Sequence, residues 1–223
     1  MGAEEDPEGE GDDAEAGGAR ERARAELEAE LARRFAAGDL DGVMAMAVEG
    51  YGAELFGFLV GLTRDPIAAD DVFSATCERI WRGLPKFRWD STLRVWAYAI
   101  ARNEFLRSTR TTARQKREVP VSQIASIQQA IDRVRSTTPV HERTAVKDRF
   151  AKLREQLAPE DHMLLGLRID RKMAWNDIVR VLAEADGEAA AVDVTREAAA
   201  LRKRFERLKT KLRELARQAT SEE

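Results

Sequence analysis

The 223-residue chain carries 37 Lys and Arg against 40 Asp and Glu, and 43% of it is apolar, enough for a buried core of one large or two small domains. Ala, Leu, Arg and Glu dominate while Gly and Pro are sparse, which predicts an all-helical protein with very little strand. The single cysteine, Cys77, excludes an internal disulfide, and His141 and His162 stand too far apart for metal-ligand spacing, so neither a metal nor a cofactor is expected.

The net charge of −3 hides an asymmetry. Residues 1–19 hold eight acidic side chains and no basic one, leaving 37 basic against 32 acidic residues in the remainder. The body is therefore basic, and residues 1–19, Gly-rich and poor in large apolar groups, are expected to be a disordered acidic tail. The N-terminus has neither the basic start nor the apolar run of a signal peptide. No later segment approaches the apolar length of a membrane span, so we expect a soluble cytoplasmic protein with no direct membrane insertion.

From Arg20 the periodicity is helical: Leu27, Leu31 and Phe35 recur every fourth residue, and Gly38 and Asp39 stop and restart the chain. A second helix follows over residues 40–60, and Pro66 suits the first turn of a third, over 66–84, whose acidic start (Asp70, Asp71) and basic end (Arg79, Arg82) match the helix dipole. After a loop at 84–91, a fourth helix places Leu93, Trp96, Ala97, Ile100, Ala101 and Leu106 on one stripe. Six basic residues between 102 and 117 face the single acid Glu104. Together with Phe87, Trp89 and Trp96 they suggest a surface that handles bases, since flat side chains stack and guanidinium groups contact phosphates and base edges. Cys77 reads as a small buried helix residue, and Trp96 and Trp81 as core.

Residues 111–145 lose large apolar groups and read as a linker, with a short helix around Ile124, Ile127 and Ile131. Phe150, Leu153 and Leu157 then precede a helix opened by Pro159, with Met163, Leu164, Leu167 and Ile169. After a turn at Asp170, Arg171 and Lys172 comes a short amphipathic helix over 174–183, with Asp177 and Arg180 facing out. A final helix begins near Asp193 or Thr195, with an apolar stripe of Leu201, Phe205, Leu208, Leu212 and Leu215 among nine basic residues. Short helix, connection and basic helix is the order of a helix-turn-helix.

At this point a resemblance becomes specific. The run DPIAADDVFSATCERIWRGLPKF followed by FRWDSTLRVWAYAIARNEFLRSTR resembles region 2 of RNA polymerase sigma factors of the extracytoplasmic-function type. The acidic pair, Trp81, the Leu93/Trp96 pair and Ala101-Arg102-Asn103 carry it, and LAPEDHMLLGLRI, AWNDIVRVLA and ALRKRFERLKTKLREL resemble region 4. The likeness spans about 165 residues and implies an all-α architecture of two small helical domains: a region 2 bundle over 20–110 and a region 4 helix-turn-helix over 146–219, joined by a flexible linker over 111–145.

Carried over residue by residue, the resemblance gives Asp70, Asp71, Ser74 and Arg79 to the surface that meets core RNA polymerase. Phe87, Arg88, Trp89, Asp90, Ser91 and Thr92 would form the pocket for a flipped base of the promoter −10 element, with Arg102, Asn103, Arg107 and Arg110 near that DNA. Arg196, Arg202, Lys203, Arg204 and Arg207 would contact the −35 element. The implied partners are core RNA polymerase, promoter DNA and an anti-sigma factor, the last being the one route to membrane tethering. Two departures stand out: Ser74 and Ala75 occupy the place of the usual Gln-Glu after the acidic pair, and the connection over 184–194 is longer than the usual tight turn. The alternative from the same residues is a helix-turn-helix regulator binding duplex DNA without polymerase, and a third is a helical adaptor for acidic partners. No catalysis is expected, because there is no phosphate-binding Gly-rich loop and no Ser or Cys with a His positioned to activate it.

Overall fold

The computed structural model describes residues 8–110, 125–137, 156–183 and 192–221. Every regular element among them is helical, giving eight α-helices and no strand, so the all-α expectation holds. Helix α1 spans Glu8–Ala36, so residues 8–19, expected to be disordered, form its first turns. Gly38, at φ +78°, allows the reversal, and Asp39 Oδ1 accepts from Gly42 N (2.9 Å) to start α2, Leu40–Thr63.

Helix α2 is the axis of the fold. Val43, Met44, Val48, Tyr51, Leu55, Phe58 and Leu59 are buried, and α1, α3, α4 and α5 pack around it. By length and composition α2 could cross a membrane, contrary to the expectation that no segment comes close. It is that apolar because neighbours surround it. Arg64, in the left-handed region at φ 58°, ends it, and Asp65 caps α3, Pro66–Gly83, with Pro66 in the first turn as expected.

A 3-10 turn, Leu84–Lys86, leads into the loop of residues 87–92, and α4 covers Leu93–Arg110. Every residue from Leu93 to Ala101 is buried, where the sequence pattern predicted one apolar stripe. The reason is tertiary: α2 and α3 cover one side of α4, and α7 (Trp175–Ala183) covers another.

Helix α5, Ala125–Thr137, is the short helix expected within the linker. It packs closely on α2 with Ile127, Ala130, Ile131 and Val134 buried, an i, i+3, i+4, i+7 face that joins the core. A side chain on Gly52 would meet Val134 Cγ2 at 2.7 Å, so this approach needs the glycine.

Helix α6, Pro159–Leu165, runs into a single π turn, Gly166–Asp170, closed by Arg171 N donating to Gly166 O (3.0 Å). Met163, Leu164 and Leu167 are buried, whereas Ile169 is exposed. Helix α8, Val194–Ser221, is capped by Asp193, whose Oδ1 accepts from Arg196 N (3.1 Å). Phe205 and Leu208 anchor its stripe against α7 and α6. Phe150 and Leu153, and most of the 184–194 connection, lie outside the described residues.

Candidate nucleic-acid interface

The N-terminus of α4 is fixed from a distant part of the sequence. Leu93 N and Arg94 N donate to the two carboxylate oxygens of Glu28 on α1 (2.9 and 3.0 Å), placing a negative charge where helix N–H groups and the dipole favour it. Tyr51 Oη donates to the same carboxylate (2.8 Å). Burial, reinforced by the Glu28 charge, pushes the Tyr51 phenol far above its ordinary range, so it remains a neutral donor. Thr92 Oγ1 accepts from Val95 N (3.3 Å), completing the cap.

The loop of residues 87–92 thus leaves a rigid platform, and its aromatics turn inward. Phe87 stacks on Trp96 at 4.7 Å between centroids and 22° between planes. Trp89 lies 5.0 Å from Phe87 and meets Phe35 of α1 edge-on at 5.7 Å. Trp89 also adopts φ 60°, a conformation rare for a bulky residue and held here by its two ring contacts. Trp96 lies so close over Gly83 that a Cβ there would come within 2.9 Å of its Cζ2, so the indole is core, as expected.

Trp81, expected to be core, is half-buried at the edge of the hydrophobic core. Phe87 and Trp89 stay half-buried, and the most exposed groups of the loop are polar. Arg88 and Asp90, with side chains 80% and 68% exposed, form an ion pair at 3.4 Å. Thr92 is exposed, and half-buried Ser91 donates to Thr92 O (3.3 Å).

Further along α4, Arg102 is half-buried and donates to Asn103 Oδ1 (3.0 Å). Burial first, and then neighbouring Arg110, lower its pKa, while Glu160 at the start of α6 opposes the shift. Arg107 donates to Glu104 (2.6 Å), and Arg110 is exposed.

Arg94 was not singled out by the sequence, yet it joins the two halves of the chain. Its side chain is 10% exposed and grips Glu54 of α2 through Nε (2.5 Å) and Nη2 (3.1 Å), while Nη2 also donates to Arg171 O (3.1 Å). Desolvation opposes the charge on Arg94, but the hydrogen bonds and charge of Glu54 outweigh it and its pKa is raised. The available signal was Glu54 itself, a lone acid between apolar residues 51 and 63. Asp177, expected to face outward, is half-buried, and burial raises its pKa against the pull of Arg180 and Arg94.

The four residues given to the polymerase-facing surface separate into two pairs. Asp71 and Arg79 are exposed. Asp70 and Ser74 are half-buried and are reached by one side chain of α5: Arg135 Nε stands 2.6 Å from Asp70 Oδ1 and Nη2 donates to Ser74 Oγ (2.7 Å). On α8, Arg196, Arg202, Lys203 and Arg207 are exposed, whereas Arg204 turns in to pair with Asp161 of α6 (2.7 Å). Trp175 packs edge-on to Phe205 at 5.4 Å, with the Arg168 guanidinium 4.8 Å above its ring.

No group of three or more metal-ligating side chains occurs among the described residues. Cys77 is buried in the core, and burial pushes its thiol up to about 12, which leaves it unreactive at neutral pH.

Residues 47–115 match the family model of sigma-70 region 2. The matched stretch begins inside α2, contains α3, the 87–92 loop and α4, and ends just beyond Arg110. That stretch, under a third of the chain, is similar to region 2 of RNA polymerase sigma-70 family factors. That family comprises non-enzymatic transcription initiation factors whose partners are core RNA polymerase and promoter DNA.

Proposed function

We propose that this chain is a sigma factor of the extracytoplasmic-function type that directs core RNA polymerase to a subset of promoters in the cytoplasm. The observation that carries the reading is the region 2 match over residues 47–115, which coincides with the unit that sets an acidic helix, a polar-tipped loop and a basic helix end side by side. In this reading residues 20–110 act as region 2, 111–145 as the connection that includes α5, and 146–219 as region 4 with its helix-turn-helix. Residues 1–19 form an acidic N-terminal extension.

Promoter melting then proceeds on binding energy alone. Flipping a base requires a few kcal/mol of unstacking, which contacts to the flipped base return. Phe87 to Thr92 form the base pocket: Arg88, Asp90, Ser91 and Thr92 offer hydrogen bonds to a base edge, and the half-buried rings of Phe87 and Trp89 offer their remaining faces for stacking. Arg102, Asn103, Arg107 and Arg110 hold the adjacent −10 strand, and Arg196, Arg202, Lys203 and Arg207 meet the −35 duplex. Arg204 serves that contact from behind, through its pair with Asp161. An anti-sigma factor is the regulatory partner in this scheme.

Reconstitution with core polymerase on a library of genomic promoters tests the proposal. Initiation at discrete sites is the expected result. A folded protein that binds duplex DNA with sequence preference but never supports initiation would make it a helix-turn-helix regulator instead.

A further inference from the structure

From α5, packed on α2, the Arg135 side chain reaches over part of the surface that the sigma-factor resemblance gives to core RNA polymerase. Of the four residues on that surface, Arg135 engages Asp70 at 2.6 Å and Ser74 at 2.7 Å, and Asp71 and Arg79 stay exposed. A cation arriving at Asp70 must share the carboxylate with Arg135, whose positive charge repels it. Two further contacts seat α5: Arg133 pairs with Glu49 of α2 (2.7 Å), and Val134 rests in the space left by the missing side chain of Gly52.

The geometry points to α5 as an intramolecular strap that competes with core RNA polymerase for the Asp70 and Ser74 side of α3 and must move aside for full engagement. This inference rests on the reading of α3 as the polymerase-facing helix. Its thermodynamic consequence is simple: the strapped form lowers apparent affinity for polymerase by the fraction of molecules in which the strap is open. The apolar face of α5 favours the closed form, and the Arg135 contacts are a smaller increment. The Arg135 and Asp70 side chains are 33% and 41% exposed, so solvent screens their pair.

A disulfide between α5 and α2 tests the idea on the full chain. A Cβ on Gly52 would stand 2.7 Å from Val134 Cγ2, so Gly52→Cys with Val134→Cys places two sulfurs within bridging range and removes the valine methyls that would otherwise clash. Buried Cys77 can remain. Oxidised protein should bind core polymerase at least about tenfold more weakly than the same protein reduced, and Arg135→Ala should bind roughly two- to fivefold more tightly than wild type. Equal binding by oxidised and reduced protein would overturn the strap. Should the cysteine pair fail to fold, unchanged or weaker binding by Arg135→Ala would overturn it alone. Asp71→Ala separates this failure from failure of the underlying reading. If Asp71→Ala weakens polymerase binding while the strap variants behave as wild type, α3 is the docking helix and only the strap is wrong. If neither Asp71→Ala nor Arg79→Ala changes binding, the α3 reading falls and the strap with it.

Discussion

The loop and helix of residues 87–110 and the terminal helix α8 read alike in the sequence, as basic segments with aromatic or apolar companions, yet they are built in opposite ways. In the first, the aromatic rings and one arginine are tied to the fold: Phe87 stacks on Trp96, Trp89 meets Phe35 edge-on, and Arg94 closes on Glu54. In the second, the apolar stripe packs against α6 and α7, and Arg196, Arg202, Lys203 and Arg207 remain in solvent. Cations that also organise a fold are positioned and desolvated, whereas cations on one exposed face are free to neutralise phosphates. The difference separates residues whose loss should unfold the protein from those whose loss should only weaken its grip on DNA.

Mutations can sharpen or break that contrast. The largest effect is expected for Trp96→Ala, which removes the partner of Phe87 and leaves a cavity over Gly83: a loss of about 3–5 kcal/mol in denaturant unfolding. Next comes Arg94→Ala, which leaves a mostly buried Glu54 with only the longer Arg24 contact (3.5 Å) and should lower stability by roughly 3 kcal/mol. Because Arg94 also holds Arg171 O, amide exchange in Trp175–Ala183 should rise with it, and protection there equal to wild type would show that the two halves are held by packing alone.

Glu28→Gln keeps the shape and removes the charge at the α4 N-terminus, for an expected loss of about 1 kcal/mol. At the small end, replacing Arg202, Lys203 and Arg207 together with Ala should move stability by less than about 0.5 kcal/mol. The same triple variant should flatten the salt dependence of duplex binding, by about 0.9 in slope for each phosphate that is no longer neutralised. A large stability loss in it would mean that α8 resembles α4 after all.

Much of the fold was legible in the sequence. Capping and breaking residues fixed the helix boundaries: Asp39, Pro66 and Asp193 start helices within a residue or two of where the pattern placed them. The apolar spacing of α8 likewise gave its packed face. Less was legible at the candidate site. The sequence brought Phe87, Trp89 and the arginines together, but could not say which way the rings turn, because that depends on Phe35, more than fifty residues earlier. It assigned Asp70 and Ser74 to one surface with Asp71 and Arg79, and missed that Arg135 comes back over the first two. It passed over Arg94 because a charged residue within an apolar stripe looks like an outward interruption until a partner such as Glu54 is found.

The sequence by itself determined the helices, the acidic start and basic body, and the resemblance to sigma region 2, because each rests on periodicity, capping or composition within a few turns of chain. Tertiary structure alone decided that α5 joins the core, that α7 closes over α4, and that Glu28 caps a helix sixty-five residues away. Those contacts form between groups far apart in the chain, and it is burial, which sequence spacing does not encode, that decides which charges pair inside and which stay free for a partner.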